Sequence, residues 1–84
     1  MPFVYLLLSL KDRRTYVGST TDLSRRLKEH NAGMSQATRH RRPLKLIYKE
    51  EFASIEQARL REKFFKTKQG RNELKKIFSK LSSL

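Results

Sequence analysis

Two tyrosines near the start of the chain lie in similar short contexts, Phe3–Tyr5 and Tyr16–Gly18, and a helix-like segment carrying Arg25, Arg26 and His30 follows them. Phenol, imidazole and guanidinium groups can hold a water molecule, move a proton and neutralise a phosphate oxygen. Their order and spacing therefore predict a small site for the cleavage of phosphodiester bonds.

The cations of this segment lie beside its apolar stripe. On a helical projection Arg26 and His30 are one turn apart and border the stripe of Leu23 and Leu27. We expect them at the rim of the buried face, where a guanidinium can form a charge-assisted bond with a phosphate oxygen. The alternative is that Arg26 only extends its apolar stem over the surface while Arg25 faces water.

Glu62 is placed unusually, because the same projection puts this carboxylate on the apolar face of Ile55, Ala58 and Phe65. Ionised glutamate is rarely buried without a partner. We therefore expect Glu62 either to bind a divalent metal ion or to form a salt bridge with a nearby arginine, and the helical projection leaves both open.

The other candidates have ordinary structural explanations as well. Tyr5 and Tyr16 belong to a residue type that favours strands and packs with its hydroxyl at the rim. Gly18 can end a strand, or can let the backbone approach a phosphate closely. A lone histidine such as His30 is more often a hydrogen-bonded structural residue than a base, and His40 falls in a loop.

The charge of the chain indicates its partner. The 84 residues include 20 Lys and Arg against 8 Asp and Glu, a formal net charge of +12 that is spread from Lys11 to Lys80. The self-repulsion of such a surplus is offset when a polyanion binds, so nucleic acid is the expected partner. A membrane surface is the rival, but the longest apolar run, Phe3–Leu8, is far shorter than the roughly 20 residues of a spanning helix.

The chain has no cysteine, which excludes a disulfide partner, a thiolate nucleophile and cysteine-bound zinc. Any metal ion must be held by oxygen or histidine ligands. A chain of this length forms one domain, which we expect over residues 1–84. Because its start lacks the pattern of a signal peptide, we expect a cytoplasmic protein.

The pattern of elements predicts an α/β (α+β) fold, with a three-stranded, mainly antiparallel sheet flanked by helices in the order ββαβαα. Residues 3–8 are typical of a strand covered on both faces, and residues 15–18 return as its hairpin partner, with Tyr5 and Tyr16 on one face. A helix over about residues 22–31 follows; its possible caps are Thr20, Thr21 and Asp22.

Turn and capping residues divide the rest of the chain. Gly33 ends the first helix, and Ser54 with Gln57 forms a capping box. The predicted elements are a basic loop to Pro43, a strand over 44–52, a helix from 54 to about 68 and, after Gly70, an amphipathic helix over 74–81.

Taken together, these motifs resemble the GIY-YIG nuclease family over nearly the whole chain, in its small single-domain branch. The first motif is present as Phe3–Tyr5, with Phe3 where the family has glycine, and the second as Tyr16–Gly18, with Val17 for isoleucine. The segment from Asp22 to Gly33 is similar to the family's helix with the catalytic arginine, and Arg26, directly before Leu27, is the residue that aligns.

The resemblance also extends to the second helix. The pattern from Ala58 to Lys63 matches the helix that bears the family's metal-binding glutamate, which assigns that role to Glu62. Asn72 corresponds to a polar residue that some branches place near the site. Ser19 stands where certain repair members have lysine, so we expect one phosphate contact to be missing.

The resemblance implies an endonuclease that uses one divalent ion, Mg²⁺ or Mn²⁺, bound by Glu62. It implies DNA as the substrate, cut with structure-directed or low sequence selectivity in repair or recombination. The implied catalytic residues are Tyr5, Tyr16, Arg26, His30 and Glu62. The residues we expect to contact nucleic acid are Gly18, Arg25, Arg39, His40, Arg41, Arg42, Lys66 and Asn72.

Two other functions fit parts of the sequence. A non-catalytic basic module that binds nucleic acid would explain the charge and the basic loop, but not a carboxylate at Glu62 beside a polyanion. A domain that binds a protein partner through the helix over 74–81 would leave the core without that helix's apolar stripe, so we rank it last.

Overall fold

The computed structural model describes residues 1–82 and confirms the predicted order of elements, ββαβαα. Its elements are β1 (Phe3–Ser9), β2 (Thr15–Thr20), α1 (Leu23–Asn31), β3 (Leu44–Glu51), α2 (Ile55–Phe65) and α3 (Lys68–Ser82). A short 3₁₀ turn, Arg39–Arg41, lies within the loop before β3, for which the sequence predicted no regular structure.

The sheet has the strand order β2-β1-β3, and β1 pairs antiparallel with both neighbours. In the β1–β2 ladder Tyr5 lies opposite Gly18, and Leu7 lies opposite Tyr16. Because side chains alternate along a strand, Tyr5 and Tyr16 are diagonal neighbours on one face of the sheet, as predicted.

Helices cover both faces of the central strand. Val4 and Leu6 of β1 are buried against α2 and α3, in a cluster with Ala58 and Phe65. Tyr5 and Leu7, which alternate with Val4 and Leu6 along β1, point to the other face and pack below α1. The second cluster there consists of Tyr5, Leu7 and Leu44, with Tyr16, Leu23, Leu27 and Leu46 packed around them. Each fully buried side chain of this kind stabilises the fold by roughly 1.5–3 kcal/mol, so β1 holds the two layers together.

Helix α1 is bounded by the local signals that its sequence contains. The carboxylate of Asp22 accepts a hydrogen bond of 3.1 Å from the Arg25 backbone N–H, which selects Asp22 among the three predicted caps. At the other end Gly33 has a φ of +81°, and its N–H donates to the His30 carbonyl. His30 therefore lies in the last turn of the helix, where its ring faces the sheet.

The basic loop over residues 32–43 is closed by a side-chain amide. Asn31, the last residue of α1, accepts a hydrogen bond of 2.9 Å from the Leu44 N–H and donates one of 3.1 Å to the Leu44 carbonyl. Two loop residues, Ser35 and Thr38, are buried. The loop is thus part of the packed structure rather than a free basic segment.

The boundary between α2 and α3 differs from the prediction. Helix α2 ends at Phe65 and α3 begins at Lys68, so Gly70 lies inside the first turn of α3 rather than before the helix. The reason is a close approach of two backbones, because a Cβ on Gly70 would overlap the Phe64 carbonyl oxygen. Thr67 caps α3, since its hydroxyl oxygen accepts from the Gly70 N–H at 3.1 Å.

An arginine ties α2 to its neighbours on both sides. The Arg61 guanidinium forms ion pairs of 2.8 Å with Glu50 of β3 and 2.7 Å with Glu73 of α3. It also lies 4.2 Å from the centre of the Phe65 ring. These contacts set the rotation of α2 about its axis, and so the direction of the adjacent Glu62 side chain. Within residues 1–82 no helix is both long enough and apolar enough to cross a membrane.

We predict that Gly70→Ala lowers the free energy of unfolding by about 1–3 kcal/mol, because the added methyl group collides with the α2 backbone. Helix propensity alone would make the same change stabilising, by up to about 1 kcal/mol. Urea denaturation measures the difference, with Gln69→Ala, an exposed neighbour in the same turn, as the matched control. A Gly70→Ala protein as stable as the control would contradict the close approach of the two helices.

Candidate active site

Three aromatic rings from three elements meet on the α1 face of the sheet. The ring centres of Tyr5 and Tyr16 are 6.5 Å apart, and the His30 ring lies 5.7 Å from Tyr5 and 5.3 Å from Tyr16. The hairpin aligns the two tyrosines, and Leu23 and Leu27 pack α1 against the same face, which brings its last turn over the rings. The predicted grouping of these three residues is present in the structure.

A chain of hydrogen bonds runs through the centre of this group. The Tyr5 hydroxyl and His30 Nε2 are 2.9 Å apart, and His30 Nδ1 and the Thr38 hydroxyl are 2.7 Å apart. All three side chains are almost completely buried, with exposed fractions of 1%, 0% and 0%. A buried polar group without a partner costs about 1–3 kcal/mol, and here the three side chains satisfy one another.

Thr38 was not identified from the sequence. It lies in the basic loop, where no periodic pattern marks a buried position, and it is eight residues from the histidine that it contacts. Its hydroxyl fixes the orientation of the imidazole ring, so the buried loop residue contributes to the geometry of the site.

Gly18 provides the space for the Tyr5 ring. A Cβ on Gly18 would overlap the Tyr5 hydroxyl and ring carbons across the ladder. The structure therefore gives this glycine a packing reason, next to the predicted approach to a phosphate, which stays a prediction.

Arg26 lies at the rim, as predicted. Its side chain is 31% exposed, and it forms an ion pair of 3.2 Å with Glu29. Burial acts to lower the pKa of Arg26, but hydrogen bonding to Tyr5 and to Glu29 outweighs it and raises the pKa above its ordinary value. The neighbouring Arg25 is 64% exposed, and its closest approach to Glu29 is 3.9 Å. Of the two arginines, Arg26 is the one directed at the aromatic group.

Burial shifts the two titratable groups behind Arg26 in opposite directions. It raises the pKa of Tyr5 to about 12, although the Arg26 guanidinium acts against this change. Burial together with the positive charge of Arg26 lowers the pKa of His30 to about 4. Near neutral pH, Tyr5 therefore keeps its proton and His30 is uncharged.

Tyr16 is the accessible member of the aromatic group. It is only partly buried, and it lines an open groove between β2 and α3. Its hydroxyl makes no hydrogen bond to any group in the described residues 1–82. Tyr16 is thus available to a bound molecule, whereas Tyr5 and His30 are enclosed behind it.

Glu62 approaches the site from the opposite face of the sheet. One of its carboxylate oxygens accepts a hydrogen bond of 2.5 Å from the Ser19 hydroxyl, and the other forms an ion pair of 2.7 Å with Lys66. Ser19 and Tyr16 belong to the same edge strand, β2, and point to opposite faces. The site consequently surrounds the free edge of β2, and the charge of Glu62 contributes to the raised pKa of Tyr5.

As the alternative to a metal ion, we predicted a salt bridge between Glu62 and an arginine. The salt bridge is present, but the prediction of its partner is wrong, because the cation is Lys66, one helical turn away. The arginine that pairs with carboxylates on this helix is Arg61, which faces the other way. The role of Ser19 was also not foreseen. The sequence indicated only a missing lysine at this position, whereas the structure gives its hydroxyl a contact with Glu62.

The surroundings of Glu62 fit a single divalent cation. Each carboxylate oxygen has two acceptor positions and uses one of them here, and the side chain remains 21% exposed. In the part of the chain that the structure describes, no group of three His, Asp or Glu side chains converges. A site with one carboxylate suits Mg²⁺, which usually keeps several water ligands.

The remaining predicted residues lie away from the aromatic group. Arg39, His40 and Arg42 line a separate shallow depression, together with Lys11 and the end of α1. Arg41 pairs with Asp12 at 2.8 Å, which lowers the pKa of that carboxyl to about 2. Asn72 is an exposed residue of α3. Among the predicted nucleic-acid contacts of residues 1–82 that lie outside α1 and β2, only Lys66 contacts a residue of the site, namely Glu62.

Known proteins resemble this chain in sequence and in fold. The family model of the GIY-YIG catalytic domain matches residues 1–76. A UPF0213 protein of Streptococcus pneumoniae is 48% identical over 63 residues, which are 74% of this chain and 64% of that protein. A UPF0213 protein of Streptococcus pyogenes serotype M5 is 43% identical over 68 residues, 80% of this chain and 74% of that protein.

A solved structure is similar as well. The solution NMR structure of a UPF0213 protein from Bacillus halodurans has a TM-score of 0.54 and 34% sequence identity to this chain. The matched region covers 92% of this chain and 85% of the chain in that structure. The likeness thus extends over most of both chains, in sequence and in fold.

We predict that His30 makes stability depend on pH between about 6.5 and 4. The unfolded chain takes up a proton on His30 in this window while the folded protein does not, so stability falls as the pH falls, by up to about 3 kcal/mol. Urea titrations between pH 7 and pH 4 measure this fall, which His30→Gln should reduce. His40→Gln, in the exposed loop, is the control and should retain it; equal slopes in all three proteins would contradict the prediction.

Proposed function

The chain belongs to the family of the GIY-YIG catalytic domain, which is a nuclease superfamily, and on this premise we propose that it is an endonuclease that hydrolyses phosphodiester bonds of nucleic acid, DNA above all. The observation that carries the proposal is the meeting of Tyr16, Arg26 and the buried Tyr5–His30 pair with Glu62 at the free edge of β2. These groups are the ones that hydrolysis of a phosphodiester requires: a cation, a water-binding hydroxyl and a carboxylate.

Arg26 stabilises the negative charge that develops on the phosphate. Its guanidinium is ionised at every relevant pH, as an arginine side chain is in any protein environment. It is partly exposed, so a phosphate can reach it, and its ion pair of 3.2 Å with Glu29 holds its orientation before the substrate binds. A preorganised charge of this kind accelerates the reaction when it interacts more strongly with the transition state than with the substrate.

Tyr16 holds the attacking water molecule. Its hydroxyl is accessible and has no partner among residues 1–82, whereas Tyr5 is 1% exposed and bonded to His30. The water oxygen forms a bond to phosphorus while the bond from phosphorus to the leaving sugar oxygen breaks. The attacking water loses a proton to solvent and the leaving oxygen gains one from solvent, so that the products are a phosphomonoester and a free hydroxyl. Tyr5 and His30 act as positioning residues, since they support the Tyr16 ring and, through Tyr5, the guanidinium of Arg26.

Glu62 is the residue that would hold a divalent ion, Mg²⁺ or Mn²⁺, with Ser19 keeping the carboxylate in place. Such an ion, when bound, supplies charge neutralisation at the phosphate and at its leaving oxygen. Lys66 pairs with the same carboxylate and is 59% exposed, so its long side chain can move to a substrate phosphate. A basic protein of net charge +12 with such a site fits a polyanionic substrate, and we place its action in DNA repair or recombination in the cytoplasm.

The assignment predicts that Arg26→Ala and Glu62→Gln each lower the rate of DNA cleavage about 10²–10³-fold, because each removes a charge that acts on the transition state. Cleavage of labelled duplex, nicked and branched DNA with Mg²⁺ at low salt measures this rate. Lys28→Ala and Glu56→Gln are the matched controls, since they change the charge equally on the same two helices at exposed positions. Both controls should cleave within about threefold of the native rate, as expected for exposed positions.

Two results would contradict the proposed roles of these residues. If the native protein and all four variants bind DNA but none cleaves it, the chain is a basic binding module without catalysis. If Lys28→Ala loses as much activity as Arg26→Ala, the assignment of the transition-state cation is wrong.

The two tyrosines should differ when each loses its hydroxyl. Tyr16→Phe should abolish cleavage and leave stability unchanged within about 0.5 kcal/mol, because this hydroxyl has no hydrogen-bond partner in residues 1–82. Tyr5→Phe should destabilise the protein by about 1–3 kcal/mol, because it leaves His30 Nε2 without its partner in the core. Thermal unfolding and single-turnover cleavage of the two proteins separate the effects; Tyr16→Phe with native activity would overturn the role of Tyr16.

A further inference from the structure

A groove between β2 and α3 begins at the candidate active site and continues beyond it. It is an open cavity of about 1010 Å³ on the α2–α3 side of β2, and Tyr16 and Lys66 line its end at the site. Its floor is apolar, with the partly exposed Leu74 lying over the buried side chains of Val17 and Phe65. The role proposed for Tyr16 and Glu62 uses only this end, so most of the groove has no part in the reaction.

Cations surround the apolar floor. Besides Lys66, the lining includes Arg13 and Arg14 from the β1–β2 turn and Arg71 and Lys75 from α3, and it includes no acidic residue. None of these four has an acidic partner within 4 Å in the described residues 1–82. The groove thus combines an apolar base with a rim of unneutralised positive charge on both sides.

We propose that this groove binds a single-stranded segment of nucleic acid that continues from the strand to be cut. The inference rests on the proposed nuclease function and adds the class of substrate, namely DNA or RNA with an unpaired tail or branch beside the scissile phosphate. The unpaired bases pack on the floor, and the phosphates contact the arginines and lysines of the rim.

The apolar floor distinguishes this ligand from a duplex. In a duplex the faces of the bases are stacked inside and phosphates form the outside, so a duplex gains little from contact with Leu74 or Phe78. Unpaired bases expose their faces and stack on aromatic rings. The ring of Phe78, which is 38% exposed, lines the far part of the groove, and Tyr16 lies where the groove meets the site.

Two other ligands could be considered for the groove, a second copy of the chain and an acidic peptide. A second copy of the chain also carries +12, so it would add positive charge to a rim that already has five cations and no acid. An acidic peptide could match the rim, but it would have no reason to extend to Tyr16 and Lys66. A nucleic-acid strand satisfies both conditions, because its scissile phosphate and its tail are parts of one chain.

The test measures binding in a variant whose cleavage is slowed, in a buffer without divalent metal ions. Glu62→Gln protein is titrated, by fluorescence anisotropy, with blunt duplex DNA and with the same duplex carrying a tail of about 10 nucleotides, a length typical of single-strand sites. We expect the tailed DNA to bind at least about tenfold tighter, as stacking of one or two bases provides. The same pair of substrates with an RNA tail forms a second arm.

Paired charge changes on α3 locate the tail. Arg71→Gln with Lys75→Gln should remove the advantage of the tail and reduce the slope of log K against log salt by about 1.4 for the tailed substrate. Lys68→Gln with Lys76→Gln removes two charges from the same helix outside the groove and should keep the advantage. Phe78→Leu, which keeps an apolar side chain, should weaken only the tailed DNA.

Several outcomes would overturn the proposal. Equal affinity for blunt and tailed substrates in both arms would do so, as would equal effects of the two double variants. A concentration-dependent dimer in analytical ultracentrifugation that Arg71→Gln with Lys75→Gln abolishes would instead assign the groove to a second copy. Cleavage by the native protein is measured separately, so that tail binding without cleavage removes only the proposed function, and cleavage without a preference for tails removes only this inference.

Discussion

The buried contact between Tyr5 and His30 is the constraint on which the rest of the site depends. Tyr5 belongs to the central strand and His30 to the last turn of α1, and Thr38 of the following loop completes the chain of hydrogen bonds. None of the three can be solvated by water, so each requires the others in position. The position of α1 above the sheet, and with it that of Arg26, is coupled to these two bonds.

A second constraint acts on the other side of the sheet. Arg61 joins α2 to β3 and α3, and the hydroxyl of Ser19 meets Glu62 at the edge of β2. The two halves of the site are therefore held by separate layers, which meet only where the edge strand is free. An exposed edge strand is usually a risk for aggregation, but under the proposed function the same exposure lets a long polymer reach groups on both faces.

The positive charge of the chain is divided between two uses. Arg41 and Arg61 are paired with carboxylates and join parts of the fold, and their charges are neutralised locally. Arg71 and Lys75 have no such partner in the described part of the chain, and they lie beside a groove that opens at Tyr16. Unpaired cations of this kind add to the net charge of +12, and under the proposed function the binding of a polyanion relieves their mutual repulsion.

The order of the main elements and the family could be predicted from local patterns in the sequence. Alternating and helical periodicities, the cap at Asp22 and the glycine at Gly33 are local signals, and each acts within a few residues of the chain. The rim position of Arg26 also followed from helical geometry alone. Its orientation towards Tyr5, like the other features of the site, depends on how the layers pack.

Only the tertiary structure decided the partners of the key side chains. The contact of Ser19 with Glu62 spans 43 positions of the chain, and that of Tyr5 with His30 spans 25. The burial of Thr38 and the place of Gly70 inside α3 also depend on neighbours that no local pattern specifies. The physical reason is that periodicity specifies which face of an element is apolar, whereas the atoms that meet across two faces are set by the packing of whole layers.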